Sequence, residues 1–184
     1  MLVCGVDEAG RGPIAGPVTS AAVVLPESYS LCELDDSKRL APETRRKLAV
    51  IIKRQSVDWA VGWASVEEIE RFNIHHATLL SMVRALRELG CRPEIVLIDG
   101  LYAPPVSMRC QTVVKGDRYV PHIQAASVLA KTARDRWMTR YARIEPQYQF
   151  EKHKGYPTRQ HRQLVGVLGR SPIHRRGFRI AFPE

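Results

Sequence analysis

The 184-residue chain has no apolar stretch long enough to cross a bilayer, so no transmembrane helix is expected. Its opening residues lack a basic segment leading into an apolar one, and no export signal is expected either. Cysteine is scarce: Cys4, Cys32, Cys91 and Cys110 stand far apart, which argues against a metal knuckle and a CxxC redox pair. Reduced, buried thiols in a cytoplasmic protein are the expectation instead. Internal repeats and low-complexity linkers are missing, which excludes a solenoid or a beaded architecture. What remains, 45% apolar and 26% charged residues, is enough to bury one full core.

Acid is lacking too, but only locally. Residues 1–130 hold 15 basic and 15 acidic residues, whereas residues 131–184 hold 13 basic and 4 acidic, so the net charge of +9 belongs to the last 54 residues. That asymmetry is the footprint of a surface that docks on phosphates, or else a solvated basic face.

Hydrophobic periodicity divides the chain. LVCGVDEA and PVTSAAVVLP have the pattern of two strands joined by a glycine-rich turn, and VDWAVGWASV alternates as a third. A helix is expected after Pro42, with Leu48, Ile51 and Ile52 on one face. EEIERFN and HHATLLSMVRALRELG read as two further helices, the second with Leu79, Val83 and Leu86 inward and Gly90 as C-cap. EIVLIDG fits an interior strand and CQTVVKGD another. After Pro121 a long helix places Ile123, Ala126, Ala130, Ala133, Trp137 and Tyr141 at helical spacing, and a short helix is expected after Pro157. This order implies an α/β fold with a mixed sheet.

Four acids fall at strand ends: Asp7 and Glu8 closing the first strand, Asp99 closing EIVLIDG, and Asp117 just past CQTVVKG. Each alone is ordinary turn chemistry. Parallel strands, however, present their C-terminal ends on one side, where such acids can converge. Converging carboxylates repel unless a cation neutralises them, and an all-oxygen set suits magnesium or manganese. Two such ions can clamp the attacking and leaving oxygens of a phosphodiester. Neighbouring strand residues point to opposite faces, so Asp7 and Glu8 can share a site only if the chain leaves strand geometry at Glu8.

DEAGRGPIAGPV, DSKRL, LIDG, VKGD, QAASVLAKTARDR, HKGYPT and IHRRGF, in this order over nearly the whole chain, resemble the type 2 ribonucleases H, in their bacterial ribonuclease HII branch. The resemblance implies a ribonuclease H-like catalytic core over residues 1–145, a mixed sheet flanked by helices. A helical, basic segment over 146–184 would grip substrate. It also implies a metal-dependent endonuclease that cuts 5′ of ribonucleotides in RNA/DNA hybrids, or of single ribonucleotides in duplex DNA, and so removes misincorporated ribonucleotides. Asp7, Glu8, Asp99 and Asp117 would bind catalytic Mg2+ or Mn2+, two ions during catalysis. Gly10, Arg11 and Gly12 would sense the ribose 2′-hydroxyl, Tyr156 would pack on the adjacent deoxyribose, and Lys38 would contact substrate.

The expected protein is a monomer without membrane contact. No terminal interaction peptide is visible, so association with a replication clamp is not readable from the sequence. His153, His161 and His174 are irregularly spaced, and packing or phosphate contact is expected of them rather than metal binding. Leu101, Gln124 and Gly177 depart from the family pattern without touching a proposed ligand. The sibling ribonuclease HIII lacks the GRG triplet, and a non-catalytic binding module would not explain four strand-end acids, which oppose polyanion binding unless metal is present.

Overall fold

The computed structural model describes residues 1–28 and 41–181. Among these, β1 (Val3–Ala9), β2 (Val18–Val24), β3 (Asp58–Ala64), β4 (Ile95–Asp99) and β5 (Cys110–Val113) form one sheet in the order β3-β2-β1-β4-β5. β1, β2 and β3 are antiparallel neighbours, whereas β4 and β5 run parallel to β1, so the sheet is mixed as expected.

Period-two alternation sorts the strand residues onto two helical layers. Ala21 and Val23 pack with Leu48, Ala49 and Ile52 of α1 (Pro42–Gln55) and with Ala125, Ala126 and Leu129 of α3 (Pro121–Tyr141). Ala22 and Val24 point the other way, with Cys4, Val6, Val96 and Ile98, onto Met82, Ala85 and Leu86 of α2 (Val66–Arg87). Two glycines set the layer distances. A Cβ on Gly5 would overlap the His122 carbonyl at the start of α3, and one on Gly62 would overlap the α2 backbone at Ser81 and Ala85. Burial pushes the Cys4 thiol up to about 12, as suits an inert core residue. Cys91 and Cys110 are free thiols as well, and Cys32 lies outside the described residues.

The two helices expected around residue 73 appear as α2 with a break at Asn73 (φ 66°, ψ 168°). There the Asn73 carboxamide accepts hydrogen bonds from the amides of His75 and His76, which caps the second half. The first half starts on a capping box, in which Ser65 and Glu68 exchange hydrogen bonds. Gly90 is not the cap expected of it: α2 ends at Glu88 in right-handed conformation, and Gly90 has no positive φ.

In α3 the residues from Ile123 to Ala130 are buried all round. Beyond Ala130 the inward residues are Arg134 and Met138, while Ala133, Trp137 and Tyr141 of the expected stripe are half-buried. The cause is a change of partner. Past the sheet, α3 packs on the 10–17 loop and on the C-terminal segment, where Met138 shares a cluster with Ala15, Tyr148, Phe150, Val165 and Ile173. That segment contains α4 (Phe150–His153) and α5 (Arg159–Leu168). It returns to the loop through Ile14 N–H to Gly155 O (2.9 Å), Gly16 N–H to Ile173 O (2.8 Å) and Arg175 N–H to Ile14 O (2.8 Å). Among the described residues no helix is long and apolar enough to cross a membrane.

Candidate active site

The parallel register pairs Val6 of β1 with Ile98 of β4, so Asp7 and Asp99 follow side by side, on the face opposite the α2 layer. Asp117 reaches them from the 3-10 turn Gly116–Arg118 after β5, where Lys115 in left-handed conformation (φ 59°) turns the chain. The Asp117 amide lies 3.5 Å from Asp99 Oδ1. One ligand oxygen from each of Asp7, Asp99 and Asp117 lies within 4.8 Å of the others. Asp7 and Asp117 are buried and Asp99 half-buried. Three carboxylates this close concentrate negative charge at one point, which a hard divalent cation would neutralise. Their donor set, all oxygen, fits such an ion.

Glu8 stands apart from this trio. The β1–β2 ladder continues through Glu8–Ser20 to Ala9–Thr19, so the chain keeps strand geometry at Glu8, contrary to expectation. Strand parity directs Glu8 away from Asp7, and its half-buried carboxylate lies 3.5 Å from the Arg11 guanidinium. The Glu8 amide donates to Asp7 Oδ1 at 2.7 Å and so helps orient the neighbouring ligand oxygen.

The glycine-rich loop follows at once. Arg11 and Gly12 are exposed, while Gly10 and residues 13–17 are buried. Gly10 has φ +102°, and a Cβ there would overlap the Arg134 side chain. At Gly12 a Cβ would meet nothing nearer than the Tyr156 ring, at 3.9 Å. Tyr156 is 37% exposed, with Lys131 Nζ 5.0 Å and Arg134 Cζ 5.9 Å from its ring centre. The structure thus brings Gly12 and Tyr156 face to face beside the carboxylates' end of β1. Lys38 lies outside the described residues.

Sequence reasoning missed two residues in this site. Arg134 and Arg175 are both fully buried, and neither has a carboxylate partner among the described residues. Arg134 donates to the carbonyls of Pro17 (2.9 Å), Ala15 (3.0 Å) and Lys154 (2.9 Å). Arg175 donates to those of Gly10, Arg11, Pro13, Gly16 and Pro17. Burial, with Arg134 beside it, pushes Arg175 down to about 9, so it keeps its charge at neutral pH. Arg134 carried a readable signal, a charge between Ala130 and Met138 on an apolar stripe. Arg175 carried none, since its neighbour Arg176 is exposed.

The three histidines form a buried stack beneath Tyr156. His153 and His161 lie face to face at 3.9 Å, and His161 Nε2 is 3.0 Å from His174 Nε2. Backbone amides fix the tautomers: Ser171 N–H donates to His174 Nδ1, so His174 Nε2–H donates to His161, whose Nδ1–H donates to Tyr156 O. Burial pushes His161 and His174 down to about 4, with His153 lowered in the same direction. All three are neutral packing residues at pH 7.

A model of the family described as Ribonuclease HII matches residues 4–181. Ribonuclease HII of Chlorobium luteolum is 50% identical over 186 residues, covering 98% of this chain and 89% of that protein. Among solved structures, the ribonuclease H2 of Pyrococcus horikoshii superposes with a TM-score of 0.80 at 25% identity, covering 98% of this chain and 95% of that one. The chain from the PCNA:RNase HII complex of Archaeoglobus fulgidus does so with 0.80 at 22% identity, covering 100% and 98%.

Proposed function

The chain belongs to the ribonuclease HII family of metal-dependent endonucleases, and we propose that it cuts 5′ of ribonucleotides in RNA/DNA hybrids and of single ribonucleotides in duplex DNA. The products are a 3′-hydroxyl and a 5′-phosphate, and the role is removal of misincorporated ribonucleotides by a cytoplasmic monomer. What carries the reading is the convergence of Asp7, Asp99 and Asp117 beside an exposed glycine tip and a tyrosine.

Asp7, Asp99 and Asp117 would hold Mg2+ or Mn2+, and Glu8, outside that trio and beside Arg11, would complete the set by swinging its carboxylate round the strand end toward the ion. Bound there, two ions would supply an activated water and neutralise charge on the scissile phosphate. The protein's own residues choose the place of attack. A ribose 2′-hydroxyl both donates and accepts, and it distinguishes RNA from DNA at one nucleotide. Gly12, without a side chain, lets backbone amide approach that hydroxyl, and the Tyr156 ring opposite packs on the neighbouring deoxyribose. Arg11, exposed at the tip, is placed to pair with a phosphate. Lys38 is a further substrate contact, and residues 146–184 form the gripping segment. The Archaeoglobus relative was solved with PCNA, which supports a sliding clamp as partner here.

The test is a duplex with one embedded ribonucleotide, incubated with Mg2+, with Mn2+, or with chelator. Metal-dependent cleavage on the 5′ side, leaving an end that a polymerase extends, is the expected result. Cleavage on the 3′ side, or none with either metal, overturns the proposal.

A further inference from the structure

Every carbonyl from Gly10 to Pro17 except that of Gly12 accepts a hydrogen bond from Arg134 or Arg175. The Arg175 guanidinium takes Gly10 (2.6 Å), Arg11 (3.2 Å), Pro13 (2.7 Å), Gly16 (2.9 Å) and Pro17 (3.3 Å). Its backbone amide takes Ile14, and Arg134 takes Ala15 and again Pro17. Turning the carbonyls inward onto two cations leaves the amides of the tip pointing out. Those of Arg11 and Gly12 donate to no group among the described residues. A concave run of outward amides is a donor surface for an electronegative oxygen.

Two buried, adjacent guanidinium groups without a carboxylate are an expensive way to fill volume, because apolar side chains pack there without desolvating charge. The gain is therefore in conformation. Five donors in a rigid fork can fix a backbone that no regular ladder supports, which a lysine ammonium with three donors at one point cannot do. The same segment also sets the tyrosine: His174, next to Arg175, reaches the Tyr156 carbonyl through His161.

We infer that Arg175 is a positioning residue for ribonucleotide recognition, holding the Gly10–Gly12 backbone in the one conformation that presents its amides to the sugar. The inference rests on the proposed reading of that tip as the 2′-hydroxyl sensor. It extends it by assigning the origin of selectivity to a buried C-terminal arginine that does not touch substrate.

The experiment compares full-length wild type with Arg175→Lys and Arg175→Gln. It measures circular dichroism, Mn2+ binding by calorimetry, affinity for an all-DNA duplex and for the same duplex with one ribonucleotide, and single-turnover cleavage. Arg175→Lys is expected to fold and to bind Mn2+ and all-DNA duplex like wild type. Its preference for the ribonucleotide duplex should be lost, and cleavage should fall by about tenfold to a hundredfold, as for a misplacement of about 1 Å. KM for the ribonucleotide duplex should rise with that lost preference, and kcat should fall beside it. Wild-type preference and kcat in a folded Arg175→Lys, or an equal loss of all-DNA affinity, overturns the inference. So does failure of both variants to fold, since Arg175 is then a stability residue. If wild type itself shows no preference for the ribonucleotide duplex, the sensor reading fails first, and the two failures stay distinct.

Discussion

Residues 1–130 carry balanced charge, yet they bring three carboxylates to one point, whereas residues 131–184 carry the whole +9 and scatter it in two directions. Arg134 and Arg175 turn inward onto loop carbonyls, and Arg170 lies along the carbonyls of Arg175, Arg176 and Phe178. Lys152 and Arg159 face solvent. Net charge counted along a sequence therefore overstates the surface offered to phosphate. Part of the basic excess is a scaffold for the 10–17 loop that follows Asp7 and Glu8, so the two regions meet in one site.

The largest expected effect lies on the acidic side. Asp7→Asn or Asp99→Asn should lower cleavage by about a thousandfold or more, because charge is lost with little change in shape. The same variants should melt no lower than wild type in chelator, since one of three crowded carboxylates has been neutralised. Asp117→Asn should be severe but milder, because it joins from a turn rather than a strand. Substantial activity in Asp7→Asn would remove the carboxylate cluster from the chemistry.

A pair of glycines two residues apart, Gly10 and Gly12, separates scaffold from reader. Gly10→Ala places a Cβ against Arg134 at φ +102° and should cost about 3 kcal/mol of stability. Gly12→Ala has room, with nothing nearer than the Tyr156 ring at 3.9 Å, so its melting temperature should match wild type. A cleavage loss of about tenfold in Gly12→Ala then comes from the substrate side, and Tyr156→Ala should resemble it. Thermal melts beside single-turnover rates decide this, and full activity in both Gly12→Ala and Tyr156→Ala would move the reader elsewhere.

How much of this was legible follows from which signals are local. Strand periodicity located the ends at Asp7 and Asp99, and the parallel register then made them neighbours. Asp117 joins them through a left-handed Lys115, a turn that no periodicity announces. Parity raised the correct difficulty about Glu8, but the expected escape from strand geometry does not occur before Ala9. Arg134 broke an apolar stripe and was readable in principle. The pairing of Arg175 with residues 158 to 165 positions earlier is a tertiary fact, and so is the stack of histidines drawn from three segments.

That stack gives a pH dependence of stability. The folded-state values of His161 and His174, about 4, lie below the ordinary 6.5 because burial disfavours the charged rings. Between those limits the unfolded chain binds more protons, so stability should fall as pH drops from about 6.5 to about 4. Glu145 opposes the shift at His174 and Arg170 reinforces it, without changing the sign. Melting temperature followed across that range checks the expectation, and a flat profile would show the stack to be charged when folded.

The smallest effect tests the outward half of the basic region. Lys152 and Arg159 are exposed, whereas Lys154 and Arg162 are half-buried and the Lys154 ammonium donates to the Glu151 carbonyl. If phosphate contact belongs to the exposed residues, neutralising Lys152 and Arg159 should lower the log-log salt slope of duplex binding by up to about 0.9 for each contact removed. Neutralising Lys154 and Arg162 should change it less. Preference for the ribonucleotide duplex should survive both changes, because phosphate contacts position a protein and sugar contacts identify the site. An unchanged slope together with a lost preference would place the reader in the C-terminal segment and leave its outer charges as a solvated face.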